Sequence, residues 1–263
     1  MTAPPFVAIV PARLASTRFP RKVLAEIDGV PMVIHCARRA LASGAHQVVV
    51  ATDHEEVRAA AERAGVAVVM TGSHHETGTD RLAEAVSHLE LTPETLVVNV
   101  QGDEPLIEPA SIRAVVQRLH ESPHCAMATA CYPITSRAHL ERRSAVKVVL
   151  DRRDEALYFS RAPIPWARDA WSGAEGGDAC PAELPAWHHV GLYAYRAAFL
   201  GEFSQLSPAP LERFEALEQL RALWHGYRIA VVRLESAPAL GVDTPEDLVQ
   251  VQSLWKTSSF TPQ

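Results

Sequence analysis

Cysteine is scarce in this chain and does not form a recognisable cross-linking or metal-binding pattern. Only four cysteines occur in 263 residues, and no pair has the C-x-x-C spacing of a zinc or redox motif. They are Cys36, Cys125, Cys131 and Cys180. This irregular spacing favours reduced, mostly buried thiols over a disulfide framework or a zinc site.

Long apolar runs are also lacking. No stretch approaches the roughly 18 apolar residues that a membrane-spanning helix needs. Near the N-terminus there is no basic segment, and the apolar run from Phe6 to Val10 is short and closed by Pro11. A secretory signal needs both a basic region and a longer apolar one. We therefore expect a cytoplasmic protein without membrane insertion.

Positive charge is in deficit, because 25 lysines and arginines face 31 aspartates and glutamates, a formal net charge of -6. A general binder of polyanions needs a broadly basic surface, so we expect no nucleic-acid partner, and any anion site must be local. With 48% hydrophobic and 21% charged residues, the chain is not dominated by disorder. Its length suits one α/β domain over residues 1–263.

The first half of the chain alternates between strand and helix signals. Four short apolar runs are typical of fully buried strands: Phe6 to Val10, Gln47 to Ala51, Ala67 to Met70 and Leu96 to Val100. Helical patterns lie between them, one from Pro31 to Gly44 and one capped by Asp53 and closed by Gly65. The alternation predicts βαβ units and a parallel sheet over residues 1–120, a nucleotide-binding half.

The second half, residues 121–263, has a different pattern. Strand-like segments with little helix between them predict antiparallel or mixed strands at Met127 to Cys131, Val146 to Leu150, Ala156 to Ser160 and His189 to Tyr195. Asp169 to Ala186 is rich in glycine and proline with few apolar anchors, so we expect a mobile or variable loop. The pattern then predicts a helix from Leu211 to His225, a strand from Ile229 to Leu234 and a last helix from near Pro245.

A local basic segment follows the first strand. Pro11 to Lys22 contains four cations and no acid, and loops at the carboxyl ends of parallel strands are where ligands bind in open α/β folds. The cations are Arg13, Arg18, Arg21 and Lys22. The segment looks like a triphosphate cradle, although it is neither G-x-x-x-x-G-K-[ST] nor G-x-G-x-x-G. The alternative interpretation is a solvated basic loop.

Two acidic positions are candidates for a magnesium site. The fourth strand ends in a turn that contains Gln101, Gly102 and Asp103, which places the Asp103 carboxylate at the same sheet edge. Magnesium takes one or two protein carboxylates together with phosphate oxygens, and Asp243 offers a second. Asp243 also begins a helix N-terminal signature, Asp-Thr-Pro-Glu, so a capping role is the alternative.

Further polar residues interrupt apolar surroundings. The segment from His74 to Arg81 stands before a helix, where it could meet a nucleobase edge. Its adjacent histidines lack the spacing of a helical zinc pair, so we interpret them as surface histidines. Arg161 ends an apolar strand, where an unpaired guanidinium is costly unless an anion or an acid meets it. An internal ion pair is the alternative there.

Together these motifs resemble a known family, the 3-deoxy-manno-octulosonate (Kdo) cytidylyltransferases, or CMP-Kdo synthetases, of lipopolysaccharide biosynthesis. The matching stretches span nearly the whole chain in order: Pro11 to Arg18, Ala51 to His54, Gly78 and Thr79, Val97 to Pro105, Ala145 to Asp151, Ala156 to Arg161, Leu217 to Arg221 and Gly241 to Leu248. The resemblance implies a three-layer α/β/α nucleotide-diphospho-sugar transferase-like fold with a mostly parallel mixed sheet. It also implies a homodimer and an Mg²⁺-dependent reaction of CTP with Kdo that gives CMP-Kdo and pyrophosphate.

The resemblance also assigns residues by position. Arg13, Ser16, Arg18 and Lys22 would hold the triphosphate, and Gly78, Thr79 and Arg81 would lie near cytidine. Asp103 and Asp243 would bind magnesium, with Gln101 beside them in the substrate site. The sugar site would be lined by Arg161, His189, Tyr193, Glu218 and Gln219, with Arg161 against the sugar carboxylate. Residues 121–263 would thus form the sugar-binding and dimerisation half.

Two features depart from the family pattern. Arg21 stands where the family usually has glycine, which puts the backbone path of the basic loop in question. Asp169 to Ala186 matches poorly. Two rival functions are a cytidylyltransferase for another acid sugar, such as sialic acid or an amino-Kdo, and a non-catalytic nucleotide-binding regulator.

Overall fold

A mixed sheet forms the centre of the protein. The computed structural model describes residues 4–15, 18–75, 77–171 and 178–257, and within them the main sheet has nine strands. The strands, including a small separate pair β2 and β3, are β1 Phe6–Pro11, β2 Glu26–Ile27, β3 Val30–Pro31, β4 Gln47–Thr52, β5 Ala67–Met70, β6 Leu96–Asn99, β7 Met127–Pro133, β8 Lys147–Leu150, β9 Ala156–Ser160, β10 Trp187–Arg196 and β11 Ile229–Arg233.

Helices connect most of these strands. They are α1 Met32–Ala42, α2 Glu55–Arg63, α3 Gly78–His88, α4 Pro109–His120, α5 Arg137–Glu141, α6 Ala197–Phe203, α7 Pro210–Glu215, α8 Gln219–Trp224 and α9 Pro245–Thr257, with a short 3-10 turn at Lys22–Leu24. None of the helices in the described ranges has the length and apolarity needed to cross a membrane.

The order of strands along the sheet is β11-β7-β10-β6-β1-β4-β5, with β8 and β9 attached beside β10. Strands β6, β1, β4 and β5 are mutually parallel, as the first half of the sequence predicts. β10 runs antiparallel to β6, β7 and β8, while β11 pairs parallel with β7. The second half therefore adds the mixed strands that its pattern predicts.

Two apolar layers cover the two faces of the sheet. On β1, Phe6, Ala8 and Val10 face a core that includes side chains of α1, α2 and α4. Val7 and Ile9 face the opposite core, which includes side chains of α3, α6 and α8. Because β1 is buried on both faces, its sequence is a continuous apolar run rather than an alternating one. The predicted three-layer α/β/α architecture is confirmed.

Two local predictions need correction. The helix predicted from Leu211 to His225 is two helices, because Ala216 adopts a left-handed conformation with φ 51° between α7 and α8. The cap of α2 is His54, whose Nδ1 accepts a hydrogen bond from the amide of Glu56. Asp53, predicted as that cap, instead accepts a hydrogen bond from Arg81.

The segment from Asp169 to Ala186 has more apolar anchors than its composition suggests. Residues 172–177 lie outside the described ranges, but Trp171 and Ala186 on either side are buried with Ile134 and Leu140. The Cys180 amide also donates to the carbonyl of Thr135. The flanks are thus packed. All four cysteines are free thiols, three of them buried, as predicted.

Candidate active site

A cleft of about 830 Å³ opens at the edge of the sheet where β1, β4, β5 and β6 end. Its walls come from the segments that follow these four strands and from Asp243, which precedes α9. In the sheet, β4 and β5 lie on one side of β1, and β6, the next strand along the chain, lies on the other side. The cleft therefore lies at the point where the order of the strands reverses. Open α/β sheets bind their ligands at this position.

Cations and carboxylates that are far apart in sequence meet in this cleft. Lys22 Nζ lies 2.6 Å from Asp103 Oδ2 and 3.1 Å from Asp243 Oδ1. Arg18 also donates to Asp243 Oδ1, at 3.1 Å. Burial, together with the charges of Asp103 and Asp243, raises the pKa of Glu104 to about 7. Lys22, whose side chain is 12% exposed, pairs with both Asp103 and Asp243.

Asp103 and Asp243 are suited to hold a hard divalent cation. Their carboxylate oxygens converge on one ammonium group, that of Lys22, which stands where a metal ion would be expected to lie between them. Carboxylate oxygens are the protein ligands that magnesium prefers. The residues present thus fit the predicted magnesium site.

A second set of metal-ligating groups lies elsewhere and is already paired. His124, Cys125 and Glu155 offer nitrogen, sulfur and oxygen ligands within 4.8 Å of one another. Both oxygens of Glu155 are engaged, one by His124 and the other by Arg228. Burial raises the pKa of the Cys125 thiol to about 11, so this group is poorly prepared to bind a cation.

Close packing of two strand ends places Asp103 against the basic loop. A Cβ on Gly102 would lie 2.9 Å from the carbonyl oxygen of Pro11, closer than real Cβ atoms come to backbone. The turn after β6 can therefore rest on the end of β1 only because residue 102 is glycine.

Arg21 adopts the backbone conformation expected of the glycine that it replaces. Its φ of 61° and ψ of 21° lie in the left-handed region, so the path of the loop is compatible with the family pattern. The guanidinium makes two hydrogen bonds to the carboxylate of Glu56. Arg21 is thus committed to α2 rather than available as a further phosphate ligand in this arrangement.

Most of the predicted triphosphate and nucleoside residues are brought to the same cleft, whereas Thr79, predicted near cytidine, lines a smaller cavity instead. The cleft is lined by Arg13, Arg18, Lys22, Gly78, Arg81 and Gln101. Ser16 lies outside the described residues. Arg81 is buried and donates to Thr71 Oγ1 and to Asp53 Oδ2, so it ties the segment before α3 to the end of β4.

His75 is a cleft residue that the sequence interpretation missed. Its side chain is 10% exposed and its Nε2 bonds to Glu84, whereas His74 is exposed. The interpretation of both as surface histidines is therefore wrong for His75. No sequence signal distinguishes the two, because the burial of His75 depends on its partner nine residues later on α3.

A smaller cavity of about 70 Å³ lies on the other side of the first turn of α3, where Gly78 lines the cleft and Thr79 lines this cavity. Three of the predicted sugar-site residues line it: Tyr193, Glu218 and Gln219. Glu218 Oε1 and Gln219 Nε2 are buried without a hydrogen-bond partner in the described part of the chain. Burial raises the pKa values of Glu218 and Tyr193. The sequence interpretation missed Tyr195, although strand alternation places it on the same face as Tyr193.

Arg161 and His189, also predicted for the sugar site, line neither cavity. The Arg161 guanidinium donates to the backbone carbonyls of Glu215 at 2.7 Å, Arg143 at 3.2 Å and Ala216 at 3.4 Å. Within the described ranges the guanidinium of Arg161 has only neutral carbonyls as partners, so the alternative of an internal ion pair is not confirmed. The contact of Arg161 with a sugar carboxylate stays a prediction.

His189 is packed as a neutral imidazole. Its Nε2 lies 3.0 Å from Thr129 Oγ1, and its ring packs against Phe159 and Tyr193. Burial lowers the pKa of His189 to about 3. His189 therefore packs against Tyr193, one of the residues that line the small cavity.

Comparison with known proteins agrees with this geometry. A model of the family described as Cytidylyltransferase matches residues 7–229.

The chain belongs to the cytidylyltransferase family.

Solved structures extend the match to nearly the whole chain. CMP:2-keto-3-deoxy-manno-octonic acid synthetase, complexed with CTP, is 39% identical and aligns with a TM-score of 0.86, covering 97% of this chain and 99% of that one. A cytidylyltransferase from Leptospira borgpetersenii serovar Hardjo-bovis (strain JB197) is 18% identical, with a TM-score of 0.61, covering 96% of this chain and 87% of that one. The second similarity supports the fold alone. The family and fold predicted for this cytidylyltransferase are confirmed.

Proposed function

We propose that this cytidylyltransferase couples CTP to Kdo, forming CMP-Kdo and releasing pyrophosphate. The observation that carries the proposal is a pair of polar atoms at the small cavity beside the nucleotide cleft: among the described residues, Glu218 Oε1 and Gln219 Nε2 have no hydrogen-bond partner. Buried polar groups are normally hydrogen-bonded, so this pair is suited to the hydroxyl groups of a sugar. The relative solved with CTP is itself a synthetase for this acid sugar.

The reaction is an in-line attack of the anomeric hydroxyl of Kdo on the α-phosphorus of CTP. The new oxygen–phosphorus bond forms as the bond to pyrophosphate breaks, and the hydroxyl proton is released. An acid sugar and a polyphosphate repel each other, so the protein must supply cations that position and neutralise them. Arg13, Arg18 and Lys22 are available for this purpose at the phosphate end of the cleft.

Asp103 and Asp243 would hold magnesium, which would neutralise phosphate charge and lower the pKa of the attacking hydroxyl. In the structure the same two carboxylates pair with Lys22 and Arg18. When substrate binds, Lys22 and Arg18 would therefore leave the two carboxylates and bind phosphate, which releases the carboxylates. Within this scheme no side chain has to act as a strong base.

We further propose a homodimer formed through an apolar face. Four of its side chains are exposed: Phe214 at 92%, Leu157 at 61%, Trp224 at 56% and Leu211 at 39%. They lie on α7, α8 and β9, which are neighbours in the fold. A cluster of large exposed apolar side chains marks interaction surfaces, and a second copy of the chain is the commonest partner. A cytoplasmic location agrees with four free thiols.

One assay tests the reaction against its rivals: pyrophosphate release with each of the four nucleoside triphosphates, crossed with Kdo, 8-amino-Kdo and sialic acid. We expect release with CTP and Kdo and little with the other pairs. Preferential turnover of sialic acid or amino-Kdo would replace Kdo as the substrate. Tight CTP binding without pyrophosphate release from any sugar would favour the non-catalytic regulator.

A further inference from the structure

His75 occupies a distinct position in the wall of the cleft. The phosphate-binding cations and carboxylates lie at the ends of β1 and β6, whereas His75 follows β5. Along the sheet, β5 is the third strand from β6, which corresponds to about 14 Å at the usual strand spacing. A nucleotide that has its phosphates near Lys22 and lies along the cleft away from β6 would bring its base towards His75.

Glu84 determines which nitrogen of His75 carries the proton. Glu84 Oε2 accepts a hydrogen bond of 2.8 Å from the amide of Gly72 and is also bonded to His75 Nε2. Burial acts to raise the pKa of Glu84, but the hydrogen bonds from His75 and Gly72 outweigh it and the pKa is lowered overall. An ionised carboxylate only accepts hydrogen bonds, so the proton lies on His75 Nε2.

When the imidazole of His75 is neutral, its other ring nitrogen is a hydrogen-bond acceptor. In a neutral imidazole protonated at Nε2, Nδ1 carries a lone pair. Across the described ranges no hydrogen bond to His75 Nδ1 is found, while the side chain lines the cleft. The cleft thus offers a ligand one preoriented acceptor at its β5 end.

We propose that His75, held in one tautomer by Glu84, accepts a hydrogen bond from the exocyclic amino group of the pyrimidine and so selects CTP over UTP. The inference rests on the proposed function, which it deepens. Cytosine presents an amino donor at the position where uracil presents a carbonyl acceptor. Uracil would place two acceptors face to face, and a site built around one hydrogen bond rejects the analogue that cannot make it.

Calorimetric titration with CTP and with UTP tests the proposal without requiring turnover. We expect the wild-type protein to bind CTP at least about tenfold more tightly, the ratio expected for about 1.4 kcal/mol. His75→Ala should weaken CTP binding by about that factor and leave UTP binding unchanged or tighter, because the opposed acceptor is removed. His75→Asn carries an amide that can turn either its oxygen or its NH₂ group to the base, so the ratio of the two dissociation constants should fall towards one.

Glu84 is a positioning residue in this scheme, and two variants separate that role from a structural one. In Glu84→Gln the single carbonyl oxygen is held towards His75 by the Gly72 amide, so we expect base preference to be retained. Glu84→Ala should lose the preference. His88→Asn is the matched control, because His88 Nε2 approaches the other oxygen of Glu84, at 3.7 Å, and does not line the cleft. A purely structural role for Glu84 would weaken CTP and UTP binding equally in Glu84→Ala.

Nitrogen NMR of histidine-labelled wild-type protein gives a measurement that depends on no variant. His75 should show the Nε2-protonated tautomer, and its Nδ1 resonance should shift with CMP but not with UMP. Equal wild-type affinity for CTP and UTP, an unchanged ratio in both His75 variants, or an Nδ1-protonated ring would overturn the assignment. A wild-type protein that prefers CTP while the variants keep that preference refutes only the role of His75. A wild-type protein that binds no CTP refutes the proposed function and this assignment with it.

Discussion

Lys22 donates a 2.6 Å hydrogen bond to Asp103, so a cation proposed for the triphosphate and a carboxylate proposed for magnesium neutralise each other in the free protein. Asp243 accepts from the same ammonium group. Any divalent cation must compete with Lys22 for these oxygens, and any phosphate must compete with the carboxylates for Lys22. Metal and nucleotide should therefore assist each other's binding.

Lys22→Ala should weaken the binding of CTP and strengthen the binding of a divalent cation. Loss of a charge-assisted hydrogen bond should raise the CTP requirement by about tenfold or more. Binding of Mn²⁺ without nucleotide should become tighter, because no ammonium competes for Asp103 and Asp243. Titration calorimetry with Mn²⁺ and steady-state kinetics measure the two effects, with Lys256→Ala on the exposed side of α9 as control. Unchanged CTP dependence and unchanged Mn²⁺ affinity would contradict the role given to Lys22.

Substitutions of Asp243 and of Thr244 should have different effects on turnover and stability, although the two residues are adjacent. Thr244 Oγ1 accepts from the amide of Asp247 and caps α9, while the Asp243 carboxylate faces Lys22 and Arg18. Asp243→Asn should lower turnover by about a hundredfold with an unchanged melting temperature. Thr244→Ala should keep turnover and lower the free energy of unfolding by about 1 kcal/mol. Kinetics and urea unfolding of both variants decide the question: if Asp243→Asn keeps its turnover, Asp243 acts only as a cap, since asparagine caps a helix about as well as aspartate.

The sequence predicts the strands of this protein well because most are buried on both faces. β1, β4 and β6 are continuous apolar runs, and their helical connections have recognisable ends. The break at Ala216 has no such signal in the sequence. A residue in the left-handed conformation is usually glycine, but residue 216 is alanine. Local periodicity alone therefore predicted one helix where two are present.

Contacts between distant residues explain what the sequence could not decide. An Asp before Thr-Pro-Glu suits a cap or a metal site, and only the structure shows that the Asp243 carboxylate faces Lys22, over two hundred residues away, while Thr244 caps α9. The burial of His75 likewise depends on Glu84 and on the fold of the segment after β5. The basic loop was predictable because its four cations lie together in the sequence.

Arg161→Lys should weaken the binding of the sugar and also lower the stability of the fold. A lysine cannot reach the three carbonyls that the guanidinium binds, and two of these belong to the turn that precedes Glu218 and Gln219. We expect a lower melting temperature and a Kdo requirement raised by roughly 1–3 kcal/mol in binding free energy, with near-normal CTP binding. Arg213→Lys, an exposed position on α7, is the control. A destabilised variant with unaltered Kdo affinity relative to CTP would remove Arg161 from the sugar site.

Phe214→Asp tests the proposed dimer. Placing a charge on the most exposed of the large apolar side chains should dissociate the dimer, because an interface cannot bury an unpaired carboxylate without a large cost. Light scattering after size exclusion should show a change from two copies to one. Val249→Asp on α9, where the side chain is 64% exposed, should not alter the mass. A monomeric wild-type protein or a dimeric Phe214→Asp variant would disprove this interface.

Acid should destabilise the protein through His188. Its Nδ1 bonds to Tyr132 and lies 2.9 Å from His139 Nε2. Burial first, and then the charges of His139, Lys147 and Arg142, lower the pKa of His188 from 6.5 to about 4. A lowered histidine pKa contributes stability that is fully present above pH 6.5 and is lost as the pH falls towards 4, because the unfolded chain takes up the proton first.

Replacing His188 should therefore flatten the pH dependence of stability. Urea unfolding at pH 7 and pH 5 should show a difference in unfolding free energy that is smaller in His188→Gln than in the wild-type protein by on the order of 1–2 kcal/mol. Loss of the Tyr132 hydrogen bond lowers stability equally at both pH values, so the difference between them isolates the proton. His46→Gln, an exposed histidine before β4, should keep the wild-type difference. An unchanged difference in His188→Gln would show that His188 is not held neutral by its surroundings.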